Sequence, residues 1–270
     1  MQVLRKIWQR LGDPVFYRKK WRDFRRSRKA FDDQPQARSV GELGKFRRVV
    51  VVVAHPDDET FCSGLLCELV GKGSTVEVLC LTRGEGGPTG GVTREELGRV
   101  REEEMRRSCD ALGVGKVEFL DHTDPMAKGF RVYAPDVSAA DLSSQILPWL
   151  EDADLVISHG SSGEYWHPGH LLIHRATAMA MKHCPQASWI SFLARQPNHP
   201  MPRLLNLDDP AFLALDVSAH HESRWKALSS HTSQLGLFAK FAGGDAEDFI
   251  RKTGVETYCL QRRATIPESG

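Results

Sequence analysis

His55, Asp57 and Asp58 sit together in the hexapeptide Ala54-His55-Pro56-Asp57-Asp58-Glu59. An imidazole beside two carboxylates can supply nitrogen and oxygen ligands to a divalent metal and still leave one carboxylate to move protons. The hexapeptide directly follows Val49-Val50-Val51-Val52-Val53, a β-branched run that reads as a fully buried parallel strand. The cluster therefore emerges at the C-terminal end of a strand, where open α/β sheets place their ligand sites. Core packing calls for no such polar group there.

A second cluster, Tyr165-Trp166-His167-Pro168-Gly169-His170, follows the apolar stretch that ends at Ile157-Ser158, and it opens a helical-looking segment at His170. Both clusters thus fall at strand ends of one presumed sheet. Catalytic zinc takes three protein ligands and keeps one position for water. His55, Asp58 and His170 satisfy that count. Asp57, adjacent to Asp58, must point elsewhere, because successive residues at a strand end diverge. It is then placed to take a proton from the water that the metal activates. His167 is placed to polarise a carbonyl and to stabilise the oxyanion that develops on it. A lone His is ordinarily a surface or a satisfied core residue, and the two clusters together outweigh that reading.

In these motifs the chain resembles the PIG-L/LmbE-like family of zinc-dependent de-N-acetylases, whose signatures are AHPDDE and HP[DG]H. The resemblance runs from roughly Arg48 to Leu260. Further segments similar to the family follow in the same order: Leu81-Thr82-Arg83-Gly84-Glu85; Arg101 and Glu104 ahead of Leu112-Gly113-Val114; Phe119 to Asp124; and Lys226 to Gln234, with His231 and Ser233. The resemblance implies that His55, Asp58 and His170 hold zinc, that Asp57 is the general base and that His167 is the electrophilic partner. Tyr165 matches, more loosely, a Tyr that helps bind the transition state. Gly169 stands where many members carry Asp, which removes one outer acceptor for a ligand His. The implied fold is α/β, a Rossmann-like three-layer sandwich with a mostly parallel sheet. The implied reaction removes the acetyl group from an N-acetylglucosamine-type conjugate joined to inositol, malate, a nucleotide, an antibiotic or a lipid carrier. Two alternatives stay open: a zinc hydrolase acting on another amide or ester, and a non-catalytic sugar-binding relative. Iron(II), cobalt or manganese would suit the same donors.

Arg83 and Asp124 are candidate substrate contacts. Their plain alternatives are an Arg83–Glu85 ion pair and an Asp124 cap on the turn before Pro125. Arg101 and Glu104, at helical spacing, read as a structural ion pair that can also tie the helix to the active-site loop. Glu59 reads as a local cap or pair at the start of a helix, and His231 and Gln234 as helix-packing residues.

The elements that must position these groups alternate. Strands are expected near 48–54, 76–82, 117–120, 154–158 and 188–193, and helices near 60–71, 94–112, 139–150, 170–182 and 219–235. This βαβ rhythm argues for a parallel sheet. The glycine-rich stretch from Gly84 to Gly91 reads as a loop able to contact or gate substrate. It is not a dinucleotide fingerprint, which would belong at the end of the first strand. Residues 195–215, rich in Pro and Asn, read as an insertion over the site. The 270-residue chain divides into an arm and linker, 1–45, and one enzyme-sized domain, 46–265.

Residues 1–30 hold eleven Lys or Arg and two Asp, an arm of +9 on a body of −8. Leu4, Ile7, Trp8 and Leu11 fall at helical spacing, as do Tyr17, Trp21 and Phe24. Such an arm suits peripheral contact with an anionic membrane. It equally suits docking on the acidic body or on a second subunit of a homo-oligomer, or cleavage as a targeting peptide. No motif for nucleic-acid binding accompanies the charge. No apolar run is long enough to cross a bilayer. The six cysteines form no CxxC pair or dense framework, which suits a reducing compartment. The expected location is therefore cytoplasmic, including the inner face of the membrane.

Overall fold

The five-valine run is β1 (Arg48–Val53), the strand on which the molecule is built. It pairs in parallel with β2 (Thr75–Thr82) on one side and with β4 (Leu155–Ser158) on the other. Val49, Val51 and Val53 pack into one hydrophobic layer, and Val50, Val52 and Ala54 into a second. A strand buried on both faces has no polar side to offer, so its sequence is apolar throughout. The computed structural model describes Arg25 and residues 34–87, 91–127 and 132–265. The basic arm lies outside them except for Arg25, as do residues 88–90 of the glycine-rich stretch.

Among the described residues, seven strands form the main sheet, in the order β3-β2-β1-β4-β5-β9-β8. β3 (Lys116–His122) and β5 (Ser188–Phe192) complete the parallel part. One layer of helices covers the Val49 face: α1 (Ser63–Gly71), α2 (Arg94–Leu112) and α5 (His221–Ser230). α3 (Ala139–Leu150) and α4 (Pro168–Ala180) cover the Val50 face. The result is the expected three-layer α/β sandwich. α2 begins and ends where its sequence dictates. Thr93 and Glu96 form a reciprocal capping box, and Gly113 closes the helix at φ 76°.

Four features depart from the sequence expectations. Within 195–215, β6 (Ala194–Arg195) pairs with β7 (Asn206–Pro210), and β8 (Leu213–Asp216) joins the main sheet. These strands are too short, and too interrupted by Pro and Asp, to show a period. β9 (Val255–Arg262) runs antiparallel between β5 and β8, a strand that the βαβ rhythm does not anticipate. Helices α6 (Leu235–Ala242) and α7 (Glu247–Lys252) follow α5. Finally, the described part of the 31–45 linker packs on the domain. Ala37 bridges to Leu213, and Val40 and Leu43 are buried.

α1 is docked at its first turn. The Glu256 carboxylate on β9 accepts the Gly64 and Leu65 amides at 2.8 and 2.9 Å, and Arg224 lies 3.5 Å from the same carboxylate. A β-carbon at Gly64 would lie 2.3 Å from Cβ of Val217. Gly64→Ala should therefore lower stability by about 1–3 kcal/mol, since the core cannot open for an added methyl without strain. Urea unfolding would read this as a lower midpoint, and an unchanged midpoint would refute the tight contact. Among the described residues, no helix is long and apolar enough to cross a membrane.

Candidate active site

The strand order reverses between β1 and β4, with β2 and β3 on one side and β5 on the other. A crevice opens outside the C-terminal ends of strands at such a point. The His-Asp hexapeptide follows β1 and the second His cluster follows β4, so the topology brings the two sequence motifs together. They line a cleft of about 330 Å³ with Arg101, Asp124, Tyr165 and Gln234 among its walls.

His55, Asp58 and His170 converge. His55 Nδ1 lies 3.4 Å from Asp58 Oδ2, and His170 Nε2 lies 3.4 Å from Asp58 Oδ1. Ring nitrogens of His55, His167 and His170 fall within 4.8 Å of one another. His170 Nε2 is buried without a hydrogen-bond partner, an arrangement that a metal ion would satisfy. The surroundings also favour positive charge. Burial works against a charged His55, but hydrogen bonds to Asp124 and Asp58 carry it up to about 10. Burial alone would raise the Asp58 carboxyl, yet His170, His159 and His55 hold it well below the ordinary carboxylate range. Two imidazoles and a carboxylate fit a divalent metal ion.

Two further histidines crowd this cluster, and their hydrogen bonds suggest other tasks. The Gly169 amide donates to His167 Nδ1 at 3.3 Å, which leaves the proton of the neutral ring on Nε2. Burial and the neighbouring His170 and His55 keep His167 uncharged, its pKa far below the usual histidine value. It is therefore a donor rather than a ligand in this state. The Ala54 amide donates to His159 Nε2 at 3.0 Å, so this nitrogen, which also lies 3.3 Å from Asp58 Oδ2, already has a protein partner.

Asp57 occupies a left-handed conformation, φ 106°, which costs a non-glycine residue roughly 1–3 kcal/mol. Its amide donates to Glu59 Oε2 at 3.0 Å, and its carbonyl accepts the Thr60 amide and hydroxyl at 3.1 and 2.6 Å. Glu59 is itself fixed by Ser108 and His231. The Asp57 carboxylate is turned toward Arg101, whose Nη2 donates to Oδ2 at 3.2 Å and to the Pro56 carbonyl at 2.6 Å. Burial and the Asp58 charge outweigh Arg101 and raise the Asp57 carboxyl to about 7.

Arg101 thus ties α2 to the turn after β1, as the spacing allowed, but it does so without the expected ion pair to Glu104. Successive turns of α2 send the two side chains to different partners, and Glu104 accepts from Thr232 and Ser233 instead. Room for the Arg101 guanidinium comes from Gly84, φ 70°, where an added β-carbon would lie 2.2 Å from Nη1. Arg83 is likewise not a cleft residue. It is absent from the cleft lining, pairs with Glu102 and Asp121, and lies over the Phe119 ring, so neither substrate contact nor a Glu85 pair is what this conformation provides. Asp124 does face the cleft. It accepts the Gly86 amide at 3.1 Å and lies 3.5 Å from His55 Nε2. Tyr165 packs its ring 5.4 Å from His170 and 6.0 Å from His167.

Glu164 is a site residue beyond those expected from the sequence. Fully buried, its Oε2 accepts from His170 Nδ1 at 2.8 Å and from His159 Nδ1 at 2.6 Å. Its Oε1 accepts the Gly160 amide and Asn206 Nδ2 at 3.0 and 2.7 Å. Burial would raise this carboxyl, but His159 and His170 bring it down to about 2. Glu164 thus supplies the outer acceptor that Gly169 does not. Residues Gly163 to Trp166 all adopt positive φ to place it. A carboxylate six residues before a candidate ligand His was the available signal. Asn206, 42 residues away on β7, gave none.

Residues 50–181 match the family described as "PIG-L: GlcNAc-PI de-N-acetylase". The chain is 34% identical over 152 residues to 1D-myo-inositol 2-acetamido-2-deoxy-alpha-D-glucopyranoside deacetylase of Corynebacterium diphtheriae, an alignment spanning 48% of this chain and 50% of that relative. It is 27% identical over 216 residues to the probable N-acetyl-alpha-D-glucosaminyl L-malate deacetylase 2 of Bacillus anthracis, spanning 77% of this chain and 90% of the relative. The structure of N,N'-diacetylchitobiose deacetylase from Pyrococcus horikoshii shares the fold, with a TM-score of 0.55 at 20% identity over 79% of each chain. Over residues 50–181, just under half of its length, the chain is similar to the GlcNAc-PI de-N-acetylase (PIG-L) family.

Proposed function

We propose that this protein is a metal-dependent hydrolase that removes the N-acetyl group from an N-acetylglucosamine-type sugar conjugate. The observation that carries the reading is the approach of His55 and His170 to the two oxygens of the Asp58 carboxylate, beside a separate carboxylate, Asp57, that lines the same cleft as His55 and Asp58. His55, Asp58 and His170 would hold the metal, with zinc the proposed ion. When bound, it supplies Lewis-acid polarisation of the acetamide carbonyl and acidifies a water molecule.

The protein's own groups account for the proton movements. Asp57 takes the proton from the attacking water as the carbonyl carbon becomes tetrahedral. Its Oδ2 is engaged by Arg101, so Oδ1 is the oxygen left for this exchange. His167 donates from Nε2 to the developing oxyanion, and the Tyr165 hydroxyl, held protonated by burial, is a second donor. Asp57 then returns its proton to the amine nitrogen as the C–N bond breaks, giving acetate and a free amino sugar. Asp124 is positioned to accept from a sugar hydroxyl.

The test is acetate release from a panel of N-acetylglucosamine conjugates. Release should stop with a chelator and return with added zinc. Release that ignores the chelator would exclude metal dependence. Release from an ester or another amide, with none from any N-acetylglucosamine conjugate, would replace the proposed substrate class.

A further inference from the structure

We propose that the mouth of the catalytic cleft is a binding subsite for an apolar aglycone, so that the amino sugar acted on carries an aliphatic or aromatic group. The inference rests on the deacetylase reading and extends it to the part of the substrate that does not react. The cleft is divided by chemistry. Its floor carries His55, Asp57, Asp58 and Asp124, groups suited to a sugar and an acetamide. Its outer walls carry Val132 and Tyr133, which precede α3, and Leu237 and Phe241 on α6.

Those walls gather exposed apolar side chains in one place. Among the described residues, only eight large hydrophobic side chains are exposed, and three of them, Val132 at 43%, Tyr133 at 38% and Leu237 at 37%, line this one mouth. A fourth, Met126, lies between the lining residues Pro125 and Ala127. Such a concentration marks a recognition surface rather than scattered exposure. Leu237 and Phe241 are one turn apart and share a face of α6, whereas Phe238 is buried on the other. The Phe241 ring lies 5.5 Å from Tyr165, whose own ring packs on His167 and His170. The apolar wall is thus continuous from the reacting centre to the mouth. A sugar held with its acetamide on the floor projects its remaining substituents toward that wall. A polar aglycone there would lose hydration and gain no partner.

The experiment compares binding of methyl and octyl N-acetylglucosaminides to zinc-loaded full-length Asp57→Asn protein, by calorimetry below the micellar concentration. A fully buried methylene is worth a factor of about four, so an octyl chain lying half-buried along the wall should bind at least roughly tenfold more tightly than methyl. A triethylene glycol glycoside of similar length should bind like the methyl compound. In a protein that also carries Tyr133→Ser and Leu237→Ser, the octyl-to-methyl ratio should fall toward one. Equal binding of octyl and methyl compounds overturns the proposal, as does a ratio unmoved by the two substitutions. If the substitutions instead turn a dimer into a monomer without changing the ratio, the surface is a contact between copies of this chain and the proposal fails. Acetate release from the same glycosides by the unmodified protein tests the deacetylase reading separately, because the binding ratio does not depend on turnover.

Discussion

Replacing Asp57 by Asn should lower kcat for acetate release by about 10²–10⁴-fold while leaving the bound metal in place. The substitution preserves shape and can still accept the Arg101 hydrogen bond through its carbonyl oxygen. It removes the ability to hold a proton between the water and the departing amine. Metal retention is expected because Asp57 is turned away from His170 and toward Arg101, in the left-handed conformation that separates it from Asp58. Asn is among the residues that best tolerate that conformation, so the turn should survive. Turnover at saturating substrate and metal content per chain should be measured on the same sample. Retention of more than roughly a tenth of the activity would remove Asp57 from the base role, given the size of general-base effects. Loss of metal in parallel with activity would make Asp57 part of the metal site instead.

The parts of this site that were legible in the sequence are those in which one short segment carries both an element and its chemistry. Five valines followed by His-Pro-Asp-Asp state a buried parallel strand and a polar strand end in eleven residues, from Val49 to Glu59. α2 was readable to its ends because Thr93, Glu96 and Gly113 are local capping signals. What was not legible depends on contacts between distant segments. Arg101 and Glu104 have the spacing of an ion pair, and only the approach of the Asp57 turn and of Thr232-Ser233 draws them apart. β9 carries a mixed burial pattern because its outer half lies near an edge where cover is incomplete, so no clean alternation announces it. Asn206 follows a stretch that reads as loop, yet its side chain reaches the carboxylate that orients a candidate ligand.

Glu164→Gln should weaken metal binding about 10–100-fold, the usual cost of removing an outer partner of a ligating His. The carboxylate accepts from two rings and, through its other oxygen, from the Gly160 amide and Asn206. An amide in its place must turn its NH₂ toward one of these donors. If it faces His170 Nδ1, that nitrogen gives up its proton and the ring changes tautomer, which moves the proton to Nε2, the atom aimed at Asp58 and the metal position. If it faces Gly160 and Asn206, two donors meet a donor, and the positive-φ segment from Gly163 to Trp166 loses part of what holds it. Either way the uncharged side chain no longer sets its charge against the two histidines. The measurement is competition for zinc against a chromophoric chelator, with thermal unfolding followed in parallel. Saturating zinc should restore much of the turnover of Glu164→Gln and none of that of Asp57→Asn, which separates a group that holds the metal site from one that moves the proton. Unchanged zinc affinity in a folded Glu164→Gln protein would show that His170 is oriented without this carboxylate, and the task would then fall to the packing of α4 alone.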